Sequence, residues 1–332
     1  MKTLRMTGRL LAGVLAVATC AAQAQSQASA AAYPGKPITI VVPYAAGGGA
    51  DVIARALGKV MGESLKQPVV IDNKPGAAGQ IAATAVSRAT PDGYTLLLST
   101  DNMYSINPVL FGKGSQDALA GLAPVSNLVG APVVLAVNAA GASPVRSLAE
   151  LIAHARAKGA PLAYASPGVG TPHQLIAESI AKAAGVKFVH VPYKGTSSAV
   201  ADLMGGQVDV LFGMPATLQP LAAAGRLRII AVTTPGKSAL LPSVPTVSET
   251  YKGVAISSVD MGLMVPLATP GSVVQRLNEE VQKALGHKDV RAILADNAMV
   301  AMNGTPAEYA QRMKTARQER ERIIVETGIK AE

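Results

Sequence analysis

Short apolar runs recur along the chain, separated by stretches whose apolar positions return every three or four residues. The runs at 38–42, 69–71, 95–98, 133–137, 162–165, 188–191, 208–212, 227–232 and 262–265 predict strands. Several are apolar without alternation, as expected of a sheet covered on both faces. Between them, Leu148, Leu151, Ile152 and Ala155 keep helical spacing over 147–158, and Leu175, Ile176 and Ile180 do so over 172–184. Ser147 is a natural N-cap and Gly159 a natural stop. Strand–helix alternation of this kind predicts an α/β fold with mostly parallel sheets. No fixed-period repeat is visible. A single core of this size tends to split, so two lobes are expected. Punctuation at Gly130-Ala131-Pro132 and in the loop from Thr233 to Thr250 places the breaks. One lobe would then combine 33–130 with 237–332, the other would be the inserted segment 131–236, and 133–137 and 262–265 would be crossing strands.

The strand ends carry the chemistry. "IVVPYAAGGGADVIARALG", starting at Ile40, is strand, glycine turn and helix, the layout of a phosphate cradle. It lacks the terminal Lys and Ser or Thr of a nucleotide loop, and Gly47, Gly49 and Val52 miss the third glycine of a dinucleotide fingerprint. What remains is a helix start whose free N–H groups and dipole attract an anion that glycine lets approach. Asp51 either caps this helix and pairs with Arg55 or touches a ligand. The pattern returns in "AYASPGVGTPHQL", with Thr171 as cap, Pro172 as first helical residue and His173 in the first turn. It returns again in "VHVPYKGTSSAV", where Thr196 or Ser197 would cap, and a strand also ends at Ser99, Thr100, Asp101 and Asn102. In parallel α/β folds such loops gather at the carboxyl ends of the strands, so several helix starts are expected to converge. Each dipole contributes about 0.3–1 kcal/mol and each charge-assisted hydrogen bond about 1.5–3 kcal/mol. A handful reaches micromolar affinity, about −8 kcal/mol, after ordering costs.

Composition narrows the field. The 332 residues are 49% hydrophobic, 15% charged and 3% aromatic, with no Trp and a net charge of +9. Without stacking platforms or a basic run, no nucleic-acid partner is expected. Lys2, Arg5 and Arg9 precede an apolar stretch and small residues at Ala22 and Ala24, the pattern of a secretory signal peptide over 1–24. A periplasmic location follows as an expectation. Cys20 raises a lipoprotein alternative, which Thr19 disfavours. Otherwise the mature chain lacks cysteine and so needs no disulfide. The histidines are scattered, and His173 and Glu178 are wrongly spaced for one metal face. No catalytic residue, metal or cofactor is expected. Lys194 reads as a charge flanking an anion rather than a Schiff-base lysine. Asp209 either orients a ligand or satisfies nearby backbone. An α/β enzyme with His173 as general base is the alternative that product formation would reveal.

Several segments together carry a family resemblance: "YPGKPITIVVPYAAGGGADVIARAL", "VVIDNKPGAAGQIAA", "ATPDGYTLLLSTDN", "LAYASPGVGTPHQL", "VPYKGTSSAVADLMGGQVDVLF", "GRLRIIAVTT" and "LPSVPTVSE". In this order, from Tyr33 to Glu332, the chain resembles the Bug-type periplasmic solute-binding proteins, the extracytoplasmic receptors of tripartite tricarboxylate transporters. The resemblance implies a type II, two-lobed periplasmic-binding-protein fold closing on a small carboxylate, a monomer handing its ligand to membrane permease subunits. Docking on a membrane receptor kinase is the sensory alternative. The implied ligand-binding residues are Tyr44, Ala45, Ala46, Gly47 and Gly48 in the first loop and Ser166, Gly168, Gly170, Thr171 and His173 in the second. Tyr193, Lys194 and Asp209 follow, and Asp51, Ser99, Thr100 and Asn102 complete the expected site. The chain departs from the family pattern at Ala50, where Thr is usual, and at Ala78 and Ala82, where glycine is common. It also lacks an aromatic near 259–262.

Overall fold

A computed structural model describes residues 33–112, 119–140, 145–252, 254 and 258–330. The expected leader, 1–24, with Cys20, lies outside the described residues. The first sheet contains β1 (Ile38–Val42), β2 (Val69–Asn73), β3 (Thr95–Thr100), β4 (Leu122–Ala131), β10 (Val259–Pro266) and β11 (Val300–Ala301). Its order is β11-β4-β10-β3-β1-β2. The second sheet contains β5 (Val134–Asn138), β6 (Leu162–Ser166), β7 (Phe188–Pro192), β8 (Val210–Gly213) and β9 (Leu227–Val232), in the order β7-β6-β8-β5-β9. Each sheet has a parallel trio, β2-β1-β3 or β7-β6-β8, beside one antiparallel strand, β10 or β5. The molecule is therefore a mixed α/β structure of two lobes.

The chain changes lobe between β4 and β5 and again between β9 and β10. Here the sequence expectation needs correction. The runs 133–137 and 262–265 do not cross: β5 begins at Val134 and pairs only within the second sheet, and β10 pairs only within the first. The connections themselves meet at Val133 and Thr233. The Val133 N–H donates to Thr233 Oγ1 at 2.9 Å, and the Thr233 N–H donates to the Val133 carbonyl at 3.0 Å. This reciprocal pair ties the two crossings together.

The helices follow the strands. In the first lobe they are α1 (Gly49–Leu65), α2 (Gln80–Ser87), α3 (Asp101–Ser105) and α4 (Asn107–Leu110). The second lobe supplies α5 (Leu148–Lys158), α6 (Pro172–Ala184), α7 (Thr196–Met204) and α8 (Pro215–Ala223). After β9 come α9 (Val247–Thr250), α10 (Gly271–Gly286), α11 (Lys288–Asp296) and α12 (Pro306–Thr327). The Ser147 hydroxyl caps α5 by accepting from the Glu150 N–H, and Gly159 ends it with φ +66°. Helix α12 opens with a reciprocal capping box between Thr305 and Glu308. It packs on β4 and α3 and reaches α6 of the other lobe, where Lys182 Nζ donates to the Glu326 carbonyl. Its Tyr309 ring lies over Gly262, so close that a Cβ there would sit 2.3 Å from the ring. Ser99 Oγ bonds both the Tyr309 hydroxyl, at 2.7 Å, and the Gly262 carbonyl, at 3.2 Å. Ser99 therefore fastens α12 to the sheet.

Candidate functional site

Helix starts from both lobes meet where the lobes touch. From the first come the N-caps of α1 (Gly48) and α3 (Thr100); from the second, those of α7 (Gly195) and α8 (Met214), with His173 from the first turn of α6. All five residues line one inner cavity of about 30 Å³. Tyr44 and Pro167 of its lining also line an outer chamber of about 500 Å³, walled by Gly168, Tyr193 and Lys194 on one side and the turn from Gly76 to Gln80 on the other.

Direct bonds hold the lobes together around this space. The Ala45 N–H donates to the Lys194 carbonyl at 3.0 Å, Ser197 Oγ to the Ala46 carbonyl at 3.0 Å, and Thr217 Oγ1 to the Gly47 carbonyl at 3.4 Å. Gly195 sits at φ +145°, and a Cβ there would stand 3.4 Å from the Ala45 nitrogen of the other lobe. That close approach explains why the cap of α7 is Gly195. Neither Thr196 nor Ser197 takes the expected capping role, and Ser197 bonds across the cleft instead. A Cβ on Gly170 would likewise meet Asn107 and Phe111 of the first lobe at 3.0 Å.

The side chains facing the inner cavity are neutral. Burial pushes the Tyr44 phenol up to about 12, against a smaller lowering by its Thr100 hydrogen bond. The phenol stays protonated and donates to Asn102 Oδ1 at 3.2 Å. His173 is 4% exposed, and neither ring nitrogen has a hydrogen-bond partner. Burial pushes its pKa down to about 3. An imidazole held so far below neutrality is a weak base, which disfavours general-base chemistry. Attraction for an anion here comes from the helix starts, whose first N–H groups lack intrahelical acceptors.

The sequence-expected residues divide by position. Tyr44, Gly48, Thr100 and His173 line the inner cavity, and Gly168, Tyr193 and Lys194 the outer chamber. Ala45, Ala46 and Gly47 carry the interlobe bonds. Ser166 Oγ accepts from the Gly168 N–H at 3.1 Å, and Thr171 Oγ1 donates to the Gly168 carbonyl at 2.8 Å, so both shape the second loop. Thr171 is the N-cap of α6 by position, but its hydroxyl serves the loop. Asn102 and Asn107 donate to the Ala78 carbonyl at 3.1 and 2.9 Å, fixing the turn that walls the outer chamber.

Asp51, Ser99 and Asp209 line neither cavity, and for Asp51 and Asp209 the non-ligand alternative holds, pairing with Arg55 and satisfying nearby backbone respectively. Burial alone would raise the Asp51 pKa, but Arg55, the Gly47 N–H and Asn73 together hold the carboxyl below its usual range. Both its oxygens are occupied by these donors, so it braces the first loop. Ser99 lies beneath α12. Asp209 precedes β8, whose carboxyl end is the one at the cavity, and binds Lys158 Nζ at 3.2 Å and the Ala163 N–H at 2.7 Å. Conversely, Gly195, Met214, Val259 and Met261 line the cavity without having been expected there, and Pro167 does so from within the expected second loop. Gly195 and Met214, which each precede a helix start, and Pro167, inside the second glycine-rich loop, carried a local signal. Among the described residues, no His, Cys, Asp and Glu cluster is placed to hold a metal, and no helix is long and apolar enough to cross a membrane.

The fold and the sequence have relatives. Residues 53–329 match the family model described as tripartite tricarboxylate transporter family receptor. Protein BugT of Bordetella pertussis is 33% identical over 324 residues, covering 97% of this chain and 98% of its own. The structure of periplasmic binding protein BugD superposes with a TM-score of 0.85 at 29% identity, over 90% of this chain and 100% of that one. An R. palustris protein solved with adipate gives a TM-score of 0.84 at 30% identity, over 90% and 99%. Both superposed structures share the mixed α/β architecture over nine-tenths of this chain. With the family match, the sequence identity and the superpositions in agreement, the chain belongs to the tripartite tricarboxylate transporter receptor family.

Proposed function

We propose that this protein is a periplasmic solute-binding receptor that takes a small carboxylate between its lobes and presents it to the permease subunits of a tripartite transporter. The observation that carries this reading is the convergence of helix starts from both lobes on one cavity. A carboxylate there accepts backbone N–H bonds from two bodies at once, so binding favours the closed arrangement over the open one. The relative solved with adipate supports a carboxylate as the ligand class. The protein acts as a monomer and without catalysis. It is exported by its leader, with 33–130 and 237–332 forming one lobe and 131–236 the other. Of the residues named from sequence, Tyr44, Gly48, Thr100 and His173 contact the carboxylate, and Gly168, Tyr193 and Lys194 face the rest of the ligand.

Gly48→Asp tests the assignment. Gly48 has ordinary φ, and a Cβ would meet only the Ala45 carbonyl, at 3.5 Å. The backbone therefore tolerates a side chain, and Gly48→Ala is the control that keeps the fold. Calorimetry should show binding retained in Gly48→Ala and abolished in Gly48→Asp by like-charge repulsion at the helix start. Unchanged affinity in Gly48→Asp refutes the role of that loop.

A further inference from the structure

The two chambers share Tyr44 and Pro167 as walls but differ in size and in chemistry, and that difference bears on which carboxylate is taken. The inner cavity, about 30 Å³, has the room of about two water-sized atoms, enough for the oxygens of one carboxylate. Beyond the helix starts its walls are Met214, Met261 and Val259, with no countercharge. His173 adds an uncharged imidazole whose nitrogens have no protein partner. The outer chamber, about 500 Å³, is lined by Ala77, Ala78, Phe111, Val169 and three prolines together with Gln80, Tyr193 and Lys194, and the Tyr193 hydroxyl is taken up by Asp202. Among the described residues lining either chamber, Lys194 alone carries a charge, and it is exposed at the rim. The Ala77-Ala78 wall is a built feature. Both residues have positive φ, 47° and 52°, a conformation that disfavours a Cβ, and two buried-side asparagines pin the Ala78 carbonyl.

We infer that the receptor selects monocarboxylates with an apolar body, aromatic or aliphatic, over di- and tricarboxylates. The carboxylate sits at the helix starts, and the body passes between Tyr44 and Pro167 into the outer chamber. One negative charge is answered by backbone N–H groups and the His173 ring. A second, anywhere but at the exposed Lys194, would lie against alanine, valine, proline and phenylalanine side chains, where an unpaired charge is strongly disfavoured. The methionines let the inner wall adjust, because their unbranched thioether chains repack readily. This inference rests on the carboxylate-receptor reading above and narrows it.

Calorimetry of the full-length mature protein with benzoate, phenylacetate and octanoate, against adipate, malate and citrate, separates the two levels. The expected result is at least one apolar monocarboxylate binding ten times or more tighter than every di- or tricarboxylate. Adipate, malate or citrate binding equally well or better overturns this inference and leaves the receptor reading standing. No heat from any carboxylate overturns both. Phe111→Lys then tests the outer chamber. Phe111 is 38% exposed, so the change is tolerated at the surface, and an unaltered melting temperature checks it. It should weaken the best monocarboxylate tenfold or more and strengthen adipate. Unchanged monocarboxylate affinity overturns the placement of the ligand body.

Discussion

Replacing His173 with leucine should flatten the stability of the protein toward acid. His173 is buried with no hydrogen-bond partner, and burial holds its pKa at about 3 against an ordinary value of 6.5. Below pH 6.5 the unfolded chain takes up a proton that the folded chain refuses. The contribution is present above pH 6.5 and is lost as pH falls toward the folded value. Between pH 7.5 and 5.0 the unfolded state gains about 1.5 pH units of protonation energy, or about 2 kcal/mol at about 1.36 kcal/mol per unit. Leucine cannot titrate, so the variant escapes this loss. Urea denaturation followed by circular dichroism at both pH values, in buffers without carboxylates, gives the double difference. His190, also lowered by burial, is present in both proteins and cancels. The expected result is a wild-type loss exceeding that of His173→Leu by about 2 kcal/mol. Parallel pH profiles would refute the claim that the ring is buried and neutral.

Gly262→Ala would drive a methyl group to 2.3 Å from the Tyr309 ring. Overpacking of this kind costs about 1–3 kcal/mol, read as a lower melting temperature, and Tyr309→Ala should relieve the clash in the double variant. Thr233→Val leaves the buried Val133 N–H without its acceptor between the lobes. The expected loss is about 1–3 kcal/mol in urea denaturation, and a neutral result would remove the crossing pair from the account. Thr305→Ala breaks the capping box of α12 and should cost about 0.5–2 kcal/mol by the same assay.

Much of this architecture was legible because the strands are short and unmixed. Ile38–Val42 and Leu227–Val232 match their apolar runs residue for residue, as does the Pro172–Ala184 helix. The strand from Leu122 to Ala131 was not legible, because Pro124, Ser126 and Asn127 interrupt its apolar pattern. Those residues are tolerated through tertiary contacts: Gln282 Nε2 donates to Ser126 Oγ at 2.9 Å, and Asn127 reaches Met302. The site was half legible for a related reason. Glycine-rich helix starts announce themselves locally, so Gly48 and His173 could be named. Val259 and Met261 stand at the cavity only because β10, distant in sequence, begins there, and no local pattern marks them. Asp209 was ambiguous because it adjoins a strand leading to the site, yet it sits at that strand's opposite end and satisfies the Ala163 N–H.

The central claim is that helix starts of both lobes grip one carboxylate, and backbone amide resonances report it directly. A carboxylate ligand chosen by thermal shift would be titrated into labelled protein while the amide signals of Gly49 and Ala50 in one lobe and His173 and Thr196 in the other are followed. The account predicts that all four move along a single binding curve with one dissociation constant. Shifts confined to one lobe, or appearing only at residues away from the cleft, would contradict it.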